Sequence, residues 1–91
     1  MPRRRCQRRI GFNPEFLHFK PAGVNLRELE EVILRVDELE AIRLKDHENH
    51  EQEKAAEKMK ISQPTFHRTL LGARKKIADA LVNGKAIKIE K

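Results

Sequence analysis

The sequence predicts a small, mainly α-helical domain of three helices, with a basic N-terminal arm and one short pair of strands. Ninety-one residues with 38% hydrophobic content and no Trp or Tyr allow one modest core. Apolar residues recur at helical spacing in three segments, and the segments EVILRV and AIKIE lie before and after them with a strand-like pattern. We expect an arm and loop over residues 1–25, the helical domain over residues 26–82, and a tail over residues 83–91 with a short strand.

Charge is distributed unevenly along the chain, although its net value is +6. Residues 1–20 carry six Lys or Arg against one acid, residues 21–59 carry six against eleven, and residues 60–91 carry eight against two. These sums of +5, −5 and +6 give the net charge. Two basic ends around an acidic middle indicate a polyanionic partner, and a nucleic acid is the expected one. An ordinary solvated surface remains the alternative.

The N-terminal segment is expected to lie outside the helical domain. MPRRRCQRR has five Arg in nine residues and no apolar periodicity, so it predicts a mobile arm. The prolines of IGFNPEFLHFKPAG favour extended or looped chain over a long helix. Cys6 is the only cysteine, and the neighbouring Arg residues favour its thiolate. A redox role for Cys6 stays open beside that of a bystander.

Two short helices are predicted before the longest one. NLRELEEVILRV is ambiguous, with a short helix capped by Asn25 in its first half and a strand in its second half. In DELEAIRLKDHEN, Asp37 is the expected cap and Glu40 closes a capping box. The buried stripe of that helix is expected to consist of Leu39, Ala41 and Ile42. In EQEKAAEKMK the expected inward residues are Ala55, Ala56 and Met59, and the alanines allow a neighbouring helix to approach closely.

The stretch ISQPTFHRTLLGARKKI begins the longest helix, predicted from Gln63 to about Val82. Ser62 is a good N-cap, Pro64 lies in the first turn where no N–H is needed, and Ile61 is placed to contact Phe66 as a hydrophobic staple. Asn83 and Gly84 are the stop signal. At about 100° per residue, one stripe is expected to face the core. It consists of Phe66, Leu70, Ala73, Ile77 and Leu81.

The opposite face of this helix carries basic, polar and small residues. They are Pro64, Arg68, Gly72 and Lys75, with Thr65 and His67 at the flanks. Gly72 leaves room for another surface to come close. A short helix, a tight turn at Lys60 and Ile61, and a longer helix with a basic outer face predict a helix-turn-helix, whose second helix enters the major groove of DNA. A solvated amphipathic helix is the alternative.

The residue types on this face suit DNA recognition. Amide, hydroxyl, imidazole and guanidinium groups in the first turns match base edges, and later cations match phosphate. We expect base contacts from Gln63, Thr65, His67 and Arg68. We expect backbone contacts from Gln52, Arg74, Lys75 and Lys76, and from Arg3, Arg4 and Arg5 of the arm.

Longer motifs point to known families. The segment from DELEAIRL to ADAL resembles the helix-turn-helix of the fourth region of bacterial sigma factors, which reads the upstream promoter element. FKPAG, LRELEEV, DELEAIRL, EKAAEKM, SQPTFHR, ARKKIADALVNGKA and IKIE together resemble domain of unknown function 134, also called uncharacterised protein family 0251, over about residues 8–90. That family is described as predicted DNA-binding proteins. The resemblance implies a trihelical, sigma-like fold with a regulatory role and no known target.

Two positions depart from the pattern of that family. Asn49, His50 and Glu51 stand where Gly-Leu-Ser is usual, and Lys60 stands where the turn usually carries Gly. A Lys in a left-handed conformation costs on the order of 1 kcal/mol, and Glu51 lacks the small side chain of a good cap. We expect the fold to survive with a looser or reshaped loop before the second helix.

Other chemistries have weaker signals. His47 and His50 lie three apart without a third strong ligand nearby, so we expect neither a metal site nor a cofactor. The sequence contains no Gly-rich phosphate loop, HExxH or GxSxG motif, and we expect a protein that is not an enzyme. RNA binding is the nearest alternative, although its usual exposed aromatics are represented only by four Phe. A protein-interaction module of the transcription machinery, with RNA polymerase as the partner, is the other.

Double-stranded DNA is therefore the expected partner and the cytoplasm the expected location. The longest aliphatic run, Val32-Ile33-Leu34, is far short of the roughly 20 residues of a membrane span, so no membrane association is expected. The arm is not followed by a signal-peptide apolar core. Because so small a chain contacts few base pairs, a homodimer is expected if it is selective. Leu71 and the strands EVILRV and AIKIE are the candidate contact surfaces.

Overall fold

A computed structural model describes residues 9–91 of the chain. Strand β1 is His18–Phe19, and a 3-10 turn, Leu26–Glu28, precedes strand β2, Glu31–Arg35. Helix α1, Val36–Ile42, continues into a π-helical segment, Arg43–His47. Helix α2 is Gln52–Met59, helix α3 is Gln63–Asn83, and strand β3 is Ala86–Glu90. The predicted mainly α-helical class is confirmed. The predicted arm residues Arg3, Arg4, Arg5 and Cys6 lie outside the described part.

The three strands form one sheet in the order β1-β3-β2. β2 and β3 are parallel, with Glu31 opposite Ala86 and Arg35 opposite Glu90, which confirms the predicted pairing of EVILRV with AIKIE. β1 pairs with β3 in the antiparallel sense and was not predicted, because two residues give no periodicity. β3 is the central strand, so AIKIE offers no free edge to a second copy, and its expected role as a contact surface stays a prediction.

α3 is the element that joins the two parts of the core. Its first half packs with α2 and the end of α1 in a cluster of Ala41, Leu44, Ala55, Ala56, Met59, Phe66 and Leu70. Its second half packs against one face of the sheet in a cluster of Leu34, Ala73 and Ile89, with Leu39, Ile42, Ile77 and Ile87 at its margin. In residues 9–91 no helix is long and apolar enough to cross a membrane.

The predicted capping box of α1 was wrong. The helix begins at Val36, its N-cap is Arg35, and the Arg35 backbone N–H donates to Glu38 Oε1 at 2.9 Å. β2 runs directly into α1 without a loop, so the capping positions lie two residues earlier than Asp37 and Glu40. Glu40 is instead buried, and it accepts hydrogen bonds from Arg43 Nε at 2.7 Å and Nη2 at 2.9 Å.

The predicted inward stripe of α3 is correct for its first four members, of which Ile77 is partly buried, and wrong for Leu81. Leu81 is 75% exposed, whereas Ala80 is 2% exposed. The physical reason is the change of neighbour along the helix. The second half of α3 packs on the sheet, and its buried side follows Ala73, Ile77 and Ala80 at spacings of four and three. Helical periodicity alone carries no information about where that change occurs.

The two positions at which the chain departs from the family pattern have the unusual backbone conformation that was expected. Asn49 has φ 61° and Lys60 has φ 59°, so both adopt the left-handed conformation that the family pattern indicated. Glu51 is the N-cap of α2 and makes no side-chain capping hydrogen bond. α3 ends as predicted, since Gly84 takes φ 65° and its N–H donates to the Ala80 carbonyl. In the loop before α2, Asn49 thus adopts the left-handed conformation that Gly would adopt more easily, and Glu51 occupies the cap position without capping the helix.

Candidate nucleic-acid interface

The beginning of α3 is held by its own capping residues. Ser62 Oγ accepts a hydrogen bond from the Thr65 backbone N–H at 3.2 Å, and the Ser62 hydroxyl donates to Thr65 Oγ1 at 2.9 Å. Ile61 packs against the cluster that contains Phe66, which is fully buried. These contacts confirm the predicted cap. They fix the direction of the first turn, where the candidate base-reading residues lie.

α2 and α3 are joined by a tight turn over residues 60–62. Ala55 and Ala56 of α2 are buried in one cluster with Phe66 of α3, so the two helices pack against each other. The Ile61 N–H donates to the Ala56 carbonyl at 3.1 Å, and Lys60 provides the left-handed residue that reverses the chain. The structure therefore contains the helix, turn and helix that the sequence predicted at this position.

The first turns of α3 leave three of the four candidate base-reading residues exposed. They are Gln63, His67 and Arg68. Thr65 is half-buried, and its hydroxyl is engaged locally by Ser62 and by Arg68 Nη2 at 3.4 Å. Because the Thr65 hydroxyl accepts a hydrogen bond from the Arg68 guanidinium, Thr65 can orient the Arg68 side chain. Gln52, a candidate for a phosphate contact, is the first residue of α2 and is half-buried.

Gly72 faces α1 and not another molecule. A Cβ at Gly72 would lie 3.6 Å from Glu38 Oε2. The surface that the glycine was expected to admit is therefore part of the same chain, and the predicted placement of Gly72 on the outer face was wrong. Lys76, one turn later, donates to Glu38 Oε1 at 2.8 Å, and Glu38 is only 7% exposed. The ammonium of Lys76 thus compensates a largely buried carboxylate.

The three candidate phosphate-binding cations at residues 74–76 differ in their partners. Arg74 donates to Asp46 Oδ2 at 3.0 Å and to Oδ1 at 2.6 Å. The hydrogen bond with Asp46 raises the pKa of Arg74, and the same bond lowers the pKa of Asp46. The side chain of Lys75 is exposed and makes no hydrogen bond within residues 9–91, although its charge contributes to lowering the pKa of Asp79. Lys75 is therefore the cation of this group that has no hydrogen-bonded carboxylate partner.

A buried ion pair anchors the N-terminal segment against the helices. Glu40 Oε2 accepts from the Gly11 N–H at 2.8 Å, and the Arg43 guanidinium lies 4.9 Å from the centre of the Phe12 ring. A Cβ at Gly11 would lie 2.8 Å from Arg43 Nη2, so a larger residue at this position would require the Arg43 guanidinium to shift. The Arg9 N–H donates to the Met59 carbonyl at 3.1 Å. The described chain thus begins beside the turn that precedes α3.

Sequence reasoning missed the two acids that hold the basic residues of α3. Glu38 and Lys76 are 38 residues apart, and Asp46 and Arg74 are 28 apart. No local spacing links such pairs, and the acids of α1 look like a solvated helix face in the sequence. The sequence contains only a weak signal for these pairs. It has an acidic helix and a basic helix in one small domain, and two such helices are expected to pack together.

Similarity to known proteins extends over the whole chain. The model of the family described as "Protein of unknown function DUF134" matches residues 1–91. A UPF0251 protein of Moorella thermoacetica is 62% identical over 90 residues, which are 99% of this chain and 60% of that protein. A UPF0251 protein of Thermoanaerobacter pseudethanolicus is 59% identical over 90 residues, with 76% of that protein covered. The chain therefore spans between about three fifths and three quarters of these two relatives. No solved structure matches the chain.

Proposed function

The chain belongs to the family of unknown function DUF134, and from its own surface chemistry we propose that it is a sequence-specific double-stranded DNA-binding protein that regulates transcription. In this proposal α2 supports α3, and α3 lies in the major groove of the DNA.

The observation that carries the proposal is the division of α3 into two faces. Phe66, Leu70 and Ala73 are at most 2% exposed and fix one face in the core. The other face leaves Gln63, His67 and Arg68 exposed in the first two turns. A rigid helix that displays an amide, an imidazole and a guanidinium at its N-terminal end has the donors and acceptors that major-groove recognition requires.

Each exposed group has a role in the proposal. Gln63 pairs with the N6 and N7 edge of adenine, Arg68 pairs with the O6 and N7 edge of guanine, and His67 donates to or accepts from a neighbouring base. Thr65 acts through Arg68, because its hydroxyl accepts from the guanidinium. This local bond supports an orienting role for Thr65 beside the expected base contact.

The backbone contacts are assigned by the partners of each cation. Lys75 is directed to solvent and binds phosphate directly. Arg74 binds phosphate after it leaves Asp46, whereas Lys76 remains with Glu38 and supports the fold. Gln52, in the first turn of α2, supplies a further phosphate contact in this proposal. Arg3, Arg4 and Arg5 lie outside the described residues, and the proposal assigns them phosphate contacts from their positive charge alone.

RNA binding is the second candidate function, and exposed aromatics favour it. Phe16 is 71% exposed and Phe19 is 53% exposed, and bases of single-stranded RNA stack on such rings. Phe19 lies near the end of α3, where it lines a hollow with Leu81 and Gly84. α3 has 21 residues and is about 30 Å long, so that hollow is far from Gln63. The two functions use opposite ends of the helix.

Selection from random nucleic acid separates these candidates. The full chain is incubated with a pool of random duplex DNA and, in parallel, with random single-stranded RNA, and bound molecules are sequenced after several rounds. We expect enrichment of a short duplex motif and affinity that falls steeply with salt. Enrichment of RNA alone would support the second candidate. Absence of binding to both pools would leave a protein-interaction module, with RNA polymerase as the partner to test.

A further inference from the structure

β2 is an edge strand, and its outward N–H groups at Glu31 and Ile33 have no partner in residues 9–91. The Ala86 N–H donates to the Glu30 carbonyl at 2.9 Å, so the backbone of residue 30 faces β3. Alternate residues of a strand direct their N–H and C=O groups to opposite sides. Val32 and Leu34 therefore face β3 as well, and Glu31, Ile33 and Arg35 face outward. The Arg35 N–H is taken by Glu38, whereas no described residue bonds the amides of Glu31 and Ile33.

Another strand can pair with this edge through backbone hydrogen bonds. β2 has five residues in unbroken register with β3, and it contains no Pro and no bulge. Proteins usually protect such edges by shortening, bulging or covering them. The opposite edge of the sheet, β1, has only two residues. β2 is thus the longer of the two edges by which this sheet can be extended.

The charges at the two ends of β2 indicate which strand can pair with it. Glu31 and Arg35 are both exposed, have opposite charge, and lie two residues on either side of Ile33. When an antiparallel copy is placed with Ile33 opposite Ile33, Glu31 faces the partner's Arg35 and Arg35 faces the partner's Glu31. Opposite charges at directly paired positions stabilise a sheet, whereas like charges destabilise it. A parallel copy would bring Glu31 beside Glu31.

The backbone is compatible with the same register. Residues that face each other in a hydrogen-bonded antiparallel pair must both direct their backbone groups toward the partner strand, as Ile33 does. Because the Arg35 N–H is already bonded to Glu38, the central pair of Ile33 residues carries the backbone bonds and the outer pairs contribute their charges. We propose that β2 binds the β2 strand of a second copy of this chain, antiparallel about a two-fold axis at Ile33. Such an interface is closed and uses the same residues on both protomers.

The proposed dimer determines where the two α3 helices lie. The axis stands perpendicular to the sheet, so both protomers keep their helices on the same side of one six-stranded sheet. α1 and α3 occupy that side, because Leu39 and Ile77 pack with Leu34 and Ile89 in one cluster. The two α3 helices therefore face in one direction and are related by a two-fold axis. That arrangement suits a palindromic site, although dimerisation is measured without DNA and does not depend on the proposed function.

A charge-swap experiment tests the interface. Sedimentation equilibrium of the full chain without DNA is expected to give twice the 10.7 kDa monomer mass at tens of micromolar. Glu31→Arg and Arg35→Glu are each expected to raise the dissociation constant at least ten-fold, since each creates two like-charge pairs. An equimolar mixture of the two variants is expected to form heterodimers, because two arginines on the β2 strand of one chain then face two glutamates on that of the other. The double variant E31R/R35E is expected to dimerise like the unchanged chain.

Mixing the two single variants distinguishes the loss of an interface from a folding defect. Arg35 also lies 3.4 Å from Asp37, and Glu31 lies 3.8 Å from His18, so each variant is first checked for cooperative thermal unfolding. A misfolded single variant would not form heterodimers on mixing. In that case the double variant, which restores opposite charges within one chain, shows whether the interface exists. A monomeric unchanged protein, single variants that dimerise normally, or a mixture that stays monomeric would overturn the proposal. So would a dimer that is lost in Phe19→Ser and Leu81→Ser instead, which would place the contact at β1.

Discussion

Arg74 of α3 binds Asp46 through two hydrogen bonds, from Nε at 3.0 Å and from Nη2 at 2.6 Å. This geometry is the bidentate one by which a guanidinium also binds phosphate. In the proposed complex, the carboxylate of Asp46 therefore competes with a DNA phosphate for Arg74. The pair joins the segment after α1 to the fourth turn of α3. Because the two side chains are 46% and 38% exposed, the pair contributes little to stability.

Removal of Asp46 is expected to strengthen binding to DNA. In Asp46→Ala the guanidinium of Arg74 is released and one negative charge is lost. We expect tighter binding to random duplex and a plot of log affinity against log salt that is steeper by about one. Glu15→Gln is the matched control, because it removes an exposed acid that lies outside α3 and its partners. An unchanged slope in Asp46→Ala would show that Arg74 does not reach phosphate.

Lys75→Ala is expected to weaken binding to all duplex sequences equally. The side chain of Lys75 is exposed and makes no hydrogen bond within residues 9–91, and in the proposed complex it binds phosphate, so its loss is expected to lower the salt slope by about one. Lys20→Ala is the matched control, since Lys20 lies with Leu81 and Gly84 at the far end of α3. A loss confined to one preferred sequence would place Lys75 at a base edge instead.

Lys76→Ala is expected to act on the fold. Its ammonium lies 2.8 Å from Glu38 Oε1, the Glu38 side chain is 9% exposed, and removal of the ammonium leaves that carboxylate without its cation. We expect the free energy of unfolding to fall by about 1–2 kcal/mol, with an unchanged salt slope for DNA at temperatures where the variant is folded. Urea denaturation measures the first quantity. Full stability together with a lower slope would assign Lys76 to phosphate.

The left-handed residue of the turn predicts a stabilising substitution. Lys60 has φ 59°, a conformation that costs an L-residue roughly 1 kcal/mol and that Gly adopts freely. Lys60→Gly is expected to raise the free energy of unfolding by about 0.5–1 kcal/mol, measured by urea denaturation. Glu57→Gly, in the preceding helix, is the control and is expected to destabilise. If Lys60→Gly destabilises equally, the turn is not left-handed in solution.

The ion pairs also predict how stability depends on pH. The Lys85 ammonium, with Asn83, lowers the pKa of Asp79, and Arg74 lowers the pKa of Asp46. A carboxyl with a lowered pKa in the folded state stabilises above its unfolded value of about 4, and this contribution is lost as the pH falls through the folded pKa. We expect stability to decrease from about pH 5 to about pH 2, and to decrease less in Asp79→Asn and Asp46→Asn. Equal acid dependence in all three proteins would contradict these assignments.

Local signals in the sequence were sufficient for most of the fold. Ser62 and Gly84 delimit α3, and EVILRV and AIKIE pair, because caps and β-branched runs act over a few residues. The contacts of Lys76 with Glu38 and of Arg74 with Asp46 could not be predicted, since they arise when α1 and α3 pack together. Leu81 was misplaced for the same reason, because the sheet replaces helices as the neighbour of α3. The DNA-binding roles of Gln63, His67 and Arg68 remain predictions.

Arg68→Ala gives the most direct test that α3 reads duplex DNA. Affinities of the unchanged chain, of Arg68→Ala and of Lys20→Ala are measured on the selected duplex and on a scrambled duplex of equal length. We predict that Arg68→Ala loses roughly 1–3 kcal/mol on the selected duplex and little on the scrambled one, so that discrimination falls, whereas Lys20→Ala keeps it. Equal losses on both duplexes, or none, would contradict base reading by this helix.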